Sequence, residues 1–165
     1  MNTAYISLGS NLGDRAAYLR EAMGRLEQDP AIYLGAVSPL YETAPVGGPS
    51  QGPFLNACAA IETSQPPTTL LRRLLSIEEA LGRVRLERWG PRNIDLDLLL
   101  YGNVIMRTPA LQLPHPRFHE RDFVLVPLAR IAPTLRIPGR TETVECLLKK
   151  RPAPTGVSLY LENWR

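Results

Sequence analysis

Asn93-Ile94-Asp95-Leu96-Asp97-Leu98-Leu99-Leu100-Tyr101, followed by the turn residues Gly102-Asn103, is the stretch on which the fold turns. Its apolar run from Ile94 to Tyr101 reads as a strand, and that strand ends a series. Working back, Arg83 to Arg92 is a charged loop. Pro66-Pro67 opens a helix with Leu70, Leu71, Leu74, Ile77, Glu78 and Leu81 in register, closed by Gly82. Phe54 to Ile61 reads as a strand, Thr43 to Pro53 as a long loop, and Ile32 to Tyr41 as another strand. Ala16, Leu19, Ala22, Met23 and Leu26 keep helical spacing, and Thr3 to Leu8 alternates as a strand before the turn Gly9 to Asp14. The order βαββαβ predicts an α+β, ferredoxin-like sheet of split βαβ type with helices on one face. Beyond it, Asp122 to Ile131 and Thr143 to Lys150 read as extra helices and Val157 to Leu161 as a last strand. No repeat or composition break divides residues 1–165, so a single domain is expected.

Composition agrees with a globular chain: 44% of the 165 residues are hydrophobic and 21% charged. No apolar run nears the ~20 residues of a membrane span. The start, Met1-Asn2-Thr3-Ala4-Tyr5, lacks the basic-then-apolar order of a signal peptide, so a cytoplasmic location without membrane contact is expected. Cys58 and Cys146, far apart and outside any CxxC, read as buried thiols in a reducing compartment. His115 and His119 could share a helical face, but without Cys partners they make a poor zinc site. The net charge of +3 is too mild to indicate a nucleic-acid partner. Of the 19 basic residues only Lys149 and Lys150 are lysines. This skew fits genome composition or, where arginines cluster, phosphate binding by planar forks.

Side chains two apart on a strand share a face, so Asp95 and Asp97 stand together and repel. A solvated strand face tolerates that; a hard divalent cation such as Mg²⁺ relieves it, and two ions could be gripped by both carboxylates. Arg83, Arg85, Arg88 and Arg92, interleaved with Glu87 and Trp89, come just before them. Acids for metal next to arginines on a loop that folds over an anion suit a nucleotide triphosphate. The chain has no GxxxxGK[ST], no GxGxxG after a strand, and no Cys/His or Ser/His/Asp nucleophile signature. Positioning and charge stabilisation remain, which is how phosphoryl transfer proceeds. A competing reading is an RNA-binding module of RRM type. Against it stand the acids beside the basic loop and the lack of an RNP-type aromatic run.

Arg88-Trp89-Gly90-Pro91-Arg92-Asn93-Ile94-Asp95-Leu96-Asp97-Leu98-Leu99 resembles the signature of the 6-hydroxymethyl-7,8-dihydropterin pyrophosphokinase family of folate biosynthesis. So do Ala4 to Leu12, Tyr41-Glu42-Thr43-Ala44-Pro45, Phe54-Leu55-Asn56, Leu113-Pro114-His115-Pro116-Arg117 and Arg121-Asp122-Phe123. The resemblance implies transfer of pyrophosphate from ATP to the pterin hydroxymethyl oxygen, with release of AMP. It implies that Asp95 and Asp97 hold two Mg²⁺ ions, and that Arg83 and Arg92 act in catalysis as phosphate-gripping loop arginines. ATP would meet Glu78, Arg85, Arg92, Leu98, His115 and Arg121. The pterin would meet Thr43, Ala44, Pro45, Val46, Asn56, Trp89 and Asp95, and lie between Phe54 and Phe123, which could equally be core aromatics. ATP and the pterin would be the partners of a monomer that binds no nucleic acid. Three features depart from the family: the Arg83–Arg92 loop is one residue shorter than in the best-known members, Leu75 stands where some members carry a polar nucleotide contact, and Ala110 where some carry an arginine. His119 receives no role.

Overall fold

The computed structural model describes residues 1–44, 51–83, 92–152 and 156–165. A six-stranded antiparallel sheet carries the molecule. Its strands are β1 (Asn2–Ser10), β2 (Ile32–Val37), β3 (Leu40–Thr43), β4 (Phe54–Thr63), β5 (Asp95–Tyr101) and β8 (Val157–Leu161). Along the sheet they run β5-β1-β4-β3-β8, with β2 also paired to β4. A two-stranded hairpin, β6 (Met106–Arg107) with β7 (Gln112–Leu113), follows β5. The helices are α1 (Arg15–Glu27), α2 (Pro67–Ala80), α3 (Asp122–Ile131) and α4 (Val144–Lys150). Among the described residues no helix is long and apolar enough to cross a membrane.

Alternation along the central strands sorts the core into two layers. Ala4, Ile6 and Leu8 of β1 and Leu55, Ala57, Ala59 and Ile61 of β4 face α1 and α2. Cys58 of β4 and Leu99 and Leu100 of β5 face α3 and α4. The two helices of the βαββαβ run, α1 and α2, share one face as expected, and the added C-terminal helices cover the other because it too carries apolar residues. A bulge explains Leu98-Leu99-Leu100. Tyr5 pairs with Leu100 and Ile6 with Leu98, which leaves Leu99 extra. Alternation inverts there, so Leu96, Leu98 and Tyr101 join one layer and Leu99 and Leu100 the other.

The single strand expected from Ile32 to Tyr41 is two. Pro39 lacks a donor, and β2 shifts register between Leu34 and Val37. Ser38 repairs the break: its N–H donates to Cys58 O (2.9 Å), while its Oγ accepts from Cys58 N–H (2.9 Å). Trp164 Nε1 donates to Ser38 O (2.8 Å), seating the C-terminal tail on the same break. Cys146 is exposed, unlike buried Cys58, because α4 turns Val144 and Leu147 inward instead. The two histidines share no helical face. His115 is bracketed by Pro114 and Pro116, and only a three-residue 3-10 turn, Phe118–Glu120, follows.

Candidate active site

The acid pair stands on the α3 side of the sheet at the start of β5. Register sets two rows across the three neighbouring strands β5, β1 and β4: Asp95–Gly9–Asn56 and Asp97–Ser7–Cys58. Residues directly opposite one another share a face, so both carboxylates and the Asn56 amide look the same way. Gly9 leaves the middle of the first row bare. A Cβ there would lie 2.9 Å from Asn56 Oδ1 and 3.6 Å from a Phe54 ring carbon. Asn56 is buried and pinned, since its Nδ2 donates to Thr43 Oγ1 at 2.6 Å. Phe123, in the first turn of α3, is half-buried against the layer on that face. Arg121 Cζ lies 5.7 Å from the Phe123 ring centroid. The Ala44 N–H is given to Gly156 O (3.1 Å), so it does not serve the cleft as a donor.

Charge is concentrated at the acids. Glu78 leaves α2 as a buried carboxylate, accepting from Leu96 N–H (2.8 Å) and from Arg83 Nη1 (2.5 Å). Arg83 also reaches Asp95 (3.2 Å), and Arg92 meets Asp95 from the other side (3.0 Å). The guanidiniums at both ends of the charged loop are thus already docked on carboxylates, where the sequence suggests arginines held apart until an anion arrives. Burial pushes Glu78 above the usual carboxylate range, against Leu96 and Arg83. Burial, then Asp95 and Glu78, push Asp97 up to about 7. Burial, with Arg121 and Arg117, lowers His115, which favours the neutral imidazole.

A cavity of about 360 Å³ opens beside these groups, within the range of small-molecule sites. Leu71, Leu75, Leu98, Ala110 and Leu111 make its apolar part; Glu78, Arg83, Asp97 and His115 make its polar end. The backbone of His115 is held in place, its main-chain N–H donating to Leu99 O (2.8 Å). Both departures from the family pattern that fall on single residues, Leu75 and Ala110, line this cavity. The Arg83 Nε is buried with no partner among the described residues.

The structure therefore gathers Glu78, Arg83, Arg92, Asp95, Asp97, Leu98 and His115 on one side, with Thr43, Phe54, Asn56, Arg121 and Phe123 on the α3 side of the sheet. Arg85, Trp89, Pro45 and Val46 lie outside the described residues, as does Arg88. Asn11 was not singled out from sequence, where it reads as turn chemistry. It is buried, accepts from Arg92 N–H at Oδ1 (2.7 Å), and donates from Nδ2 to Gln51 Oε1 (2.7 Å) and Gly52 O (3.2 Å). One amide thus ties Arg92 to the segment that leads into β4. Only its place inside the Ala4 to Leu12 motif could have marked it.

A family model described as 7,8-dihydro-6-hydroxymethylpterin-pyrophosphokinase matches residues 5–133. The chain is 52% identical over 130 residues to the 2-amino-4-hydroxy-6-hydroxymethyldihydropteridine pyrophosphokinase of Bacillus subtilis, covering 79% of this chain and 78% of that one. It is 50% identical over 153 residues to the Methylorubrum extorquens protein of the same name, covering 93% and 96%. A folic acid synthesis protein of Schizosaccharomyces pombe is 40% identical over 157 residues, which are 95% of this chain and 21% of that one. In fold it is similar to a crystal structure of Plasmodium falciparum HPPK-DHPS (TM-score 0.70, 17% identity, 90% of this chain). It spans 45% of the length of that chain.

Proposed function

We infer the workings of the site from one premise: this chain belongs to the 7,8-dihydro-6-hydroxymethylpterin-pyrophosphokinase family. It is an ATP-dependent pyrophosphokinase of folate biosynthesis. Pyrophosphate passes from ATP to 6-hydroxymethyl-7,8-dihydropterin, giving AMP and the pterin diphosphate. The RNA-binding alternative has no support from these relatives.

We propose the following roles. The pterin lies over Gly9, between Phe54 and Phe123, with Asn56 held by Thr43 to meet its edge. The ATP base takes the apolar part of the cavity formed by Leu71, Leu75, Leu98 and Leu111. Its phosphates run toward Asp95, Asp97 and Arg83, past His115 and Arg121. Leu75 and Ala110 leave the base with fewer polar contacts, so more of the nucleotide's hold falls on Arg92 and Arg121.

The acid pair fits Mg²⁺. Asp95 and Asp97 are hard oxygen donors on one face, and the burial and like charge that lift Asp97 to about 7 are what a divalent cation offsets. No group of three or more His, Cys, Asp or Glu able to hold a metal occurs among the described residues, so substrate oxygens and water must complete the shell. We expect two ions; when bound, Mg²⁺ there supplies positive charge to the triphosphate oxygens. In the reaction the pterin hydroxyl oxygen bonds to the β-phosphorus and gives its proton to water. The bond from that phosphorus to the α–β bridging oxygen breaks, and AMP leaves. Arg83 and Arg92 exchange Asp95 for phosphate and stabilise the developing charge. Glu78 keeps Arg83 aimed, and Asn11 fixes the backbone of Arg92.

The observation that carries this reading is the meeting of Glu78, Arg83, Asp97 and His115 at the polar end of one cavity, with Asp95 and Arg92 joined to Arg83 by ion pairs. The strand order β5-β1-β4-β3, antiparallel throughout, supports a ferredoxin-like core with added C-terminal elements. We propose a cytoplasmic monomer that binds no nucleic acid. The test is incubation with ATP, Mg²⁺ and 6-hydroxymethyl-7,8-dihydropterin: equimolar AMP and pterin diphosphate support the proposal, and ADP release or no pterin product refutes it.

A further inference from the structure

Behind His115 lies a second cavity, of about 480 Å³, between the β6–β7 hairpin and residues 137–140. It is separate from the nucleotide cavity but shares a wall with it, since Gln112, His115 and Pro116 line both. Nothing in the pyrophosphoryl transfer uses the rest of its lining.

The chemistry of that lining is specific. Its floor is apolar: Leu113, Phe118 and Ile137 are buried beneath it and Met106 is half-buried. Around this floor stand Arg107, His119 and Arg140. Among the described residues no Asp or Glu lines the cavity. The nearest acids are already engaged: Glu120 lies 3.5 Å from His119 Nε2, and Glu142, 3.9 Å from Arg140, is held by Lys150 at 3.0 Å. An apolar floor under a rim of guanidiniums suits a ligand with a ring body and an anionic head. The body covers half-buried Met106 and exposed Ile105, and the head takes the planar forks. The volume suffices for a small molecule of one or two rings.

We propose that this cavity is a second ligand site, for a small aromatic anion (a carboxylate or a phosphate). Its occupancy opposes nucleotide binding through the shared wall at His115. Two anions seated in cavities that share the His115 wall repel one another. Coupling of this kind is reciprocal in binding free energy. The coupling, unlike the site itself, rests on the nucleotide reading given above.

The test titrates 2-naphthoate into the nucleotide-free full chain, followed by backbone amide NMR. Saturable shifts are expected at Ile105, Met106, Arg107, Gly139 and Arg140. The affinity should fall by about tenfold or more in the Arg107→Ala/Arg140→Ala double variant, which removes two charged partners. It should fall similarly in Ile105→Trp, where a side chain 60% exposed at the mouth is enlarged to fill it without entering the core. Thermal unfolding at the wild-type temperature shows that both variants remain folded. No saturation, shifts confined to Leu75, Thr108 and Ala110, or affinity unchanged in both variants would overturn the site. A second arm measures the dissociation constant of a non-hydrolysable ATP analogue with Mg²⁺, with and without 2-naphthoate. It should rise with naphthoate in the wild type and stay constant in Ile105→Trp. An equal constant in both refutes the coupling. An analogue that fails to bind at all refutes the nucleotide reading and leaves the second cavity to the first arm.

Discussion

Replacing Asp97 with asparagine should reverse part of the pH dependence of stability. The substitution keeps the side chain's size and removes its charge. In the folded chain burial, Asp95 and Glu78 together lift the Asp97 carboxyl from 3.8 to about 7. Between those values the folded state holds a proton that the unfolded state releases. Stability from this group is thus full below the ordinary carboxylate range, declines as pH rises, and is gone above about 7. The slope from one such group is at most about 1.4 kcal/mol per pH unit. Across the window the asparagine variant should gain a few kcal/mol on the wild type, about 2–4 °C in melting temperature per kcal/mol for a chain of this size. The assay is thermal unfolding of both proteins from about pH 4 to pH 8 in a chelator. The difference should widen with pH and flatten above about 7. Adding Mg²⁺ with an ATP analogue at neutral pH should then stabilise the wild type and leave the variant unmoved. Parallel curves for the two proteins across the window would refute the claim that burial and like charge lift Asp97.

Other substitutions separate the roles. Arg92→Ala should slow single-turnover chemistry by ~10²–10³-fold, the cost of one lost charge-stabilising donor, and an unchanged rate constant would remove it from the mechanism. Gly9→Ala places a Cβ 2.9 Å from an Asn56 oxygen that Thr43 prevents from turning aside. The KM for the pterin should therefore rise about tenfold, with the dissociation constant for the ATP analogue unchanged. Asn11→Ala removes three hydrogen bonds from a buried amide. It should cost about 1–3 kcal/mol of stability and lower kcat more than it raises either KM; Asn11→Asp, which keeps the acceptor for Arg92, should restore part of kcat.

Much of the core sheet was legible in sequence because local signals agreed with the tertiary outcome. Pro67 and Gly82 bracket α2, and Asp95 and Asp97 share a face as the pleat requires. What was not legible depends on neighbours far along the chain. The bulge at Leu99 exists only because β1 pairs with β5, and no count within Leu98-Leu99-Leu100 reveals it. Likewise, α3 covers the second face because Cys58 and Leu99 leave it apolar. In the site, the residue types and the acid spacing could be read directly. The burial of Glu78, its grip on Arg83 and the clamp at Asn11 could not, since each pairs residues from separate elements. The hairpin β6–β7 is two pairs long and carries no periodic signal.

The most direct measurement counts divalent ions at the acids. Mn²⁺ is titrated into the wild type, Asp95→Asn and Asp97→Asn with a non-hydrolysable ATP analogue and the pterin present, and free Mn²⁺ is read by electron paramagnetic resonance. Two ions bound per chain in the wild type, with loss of tight binding in both variants, is the expected result. Equal binding in all three proteins would show that the cation, and with it the triphosphate, lies elsewhere.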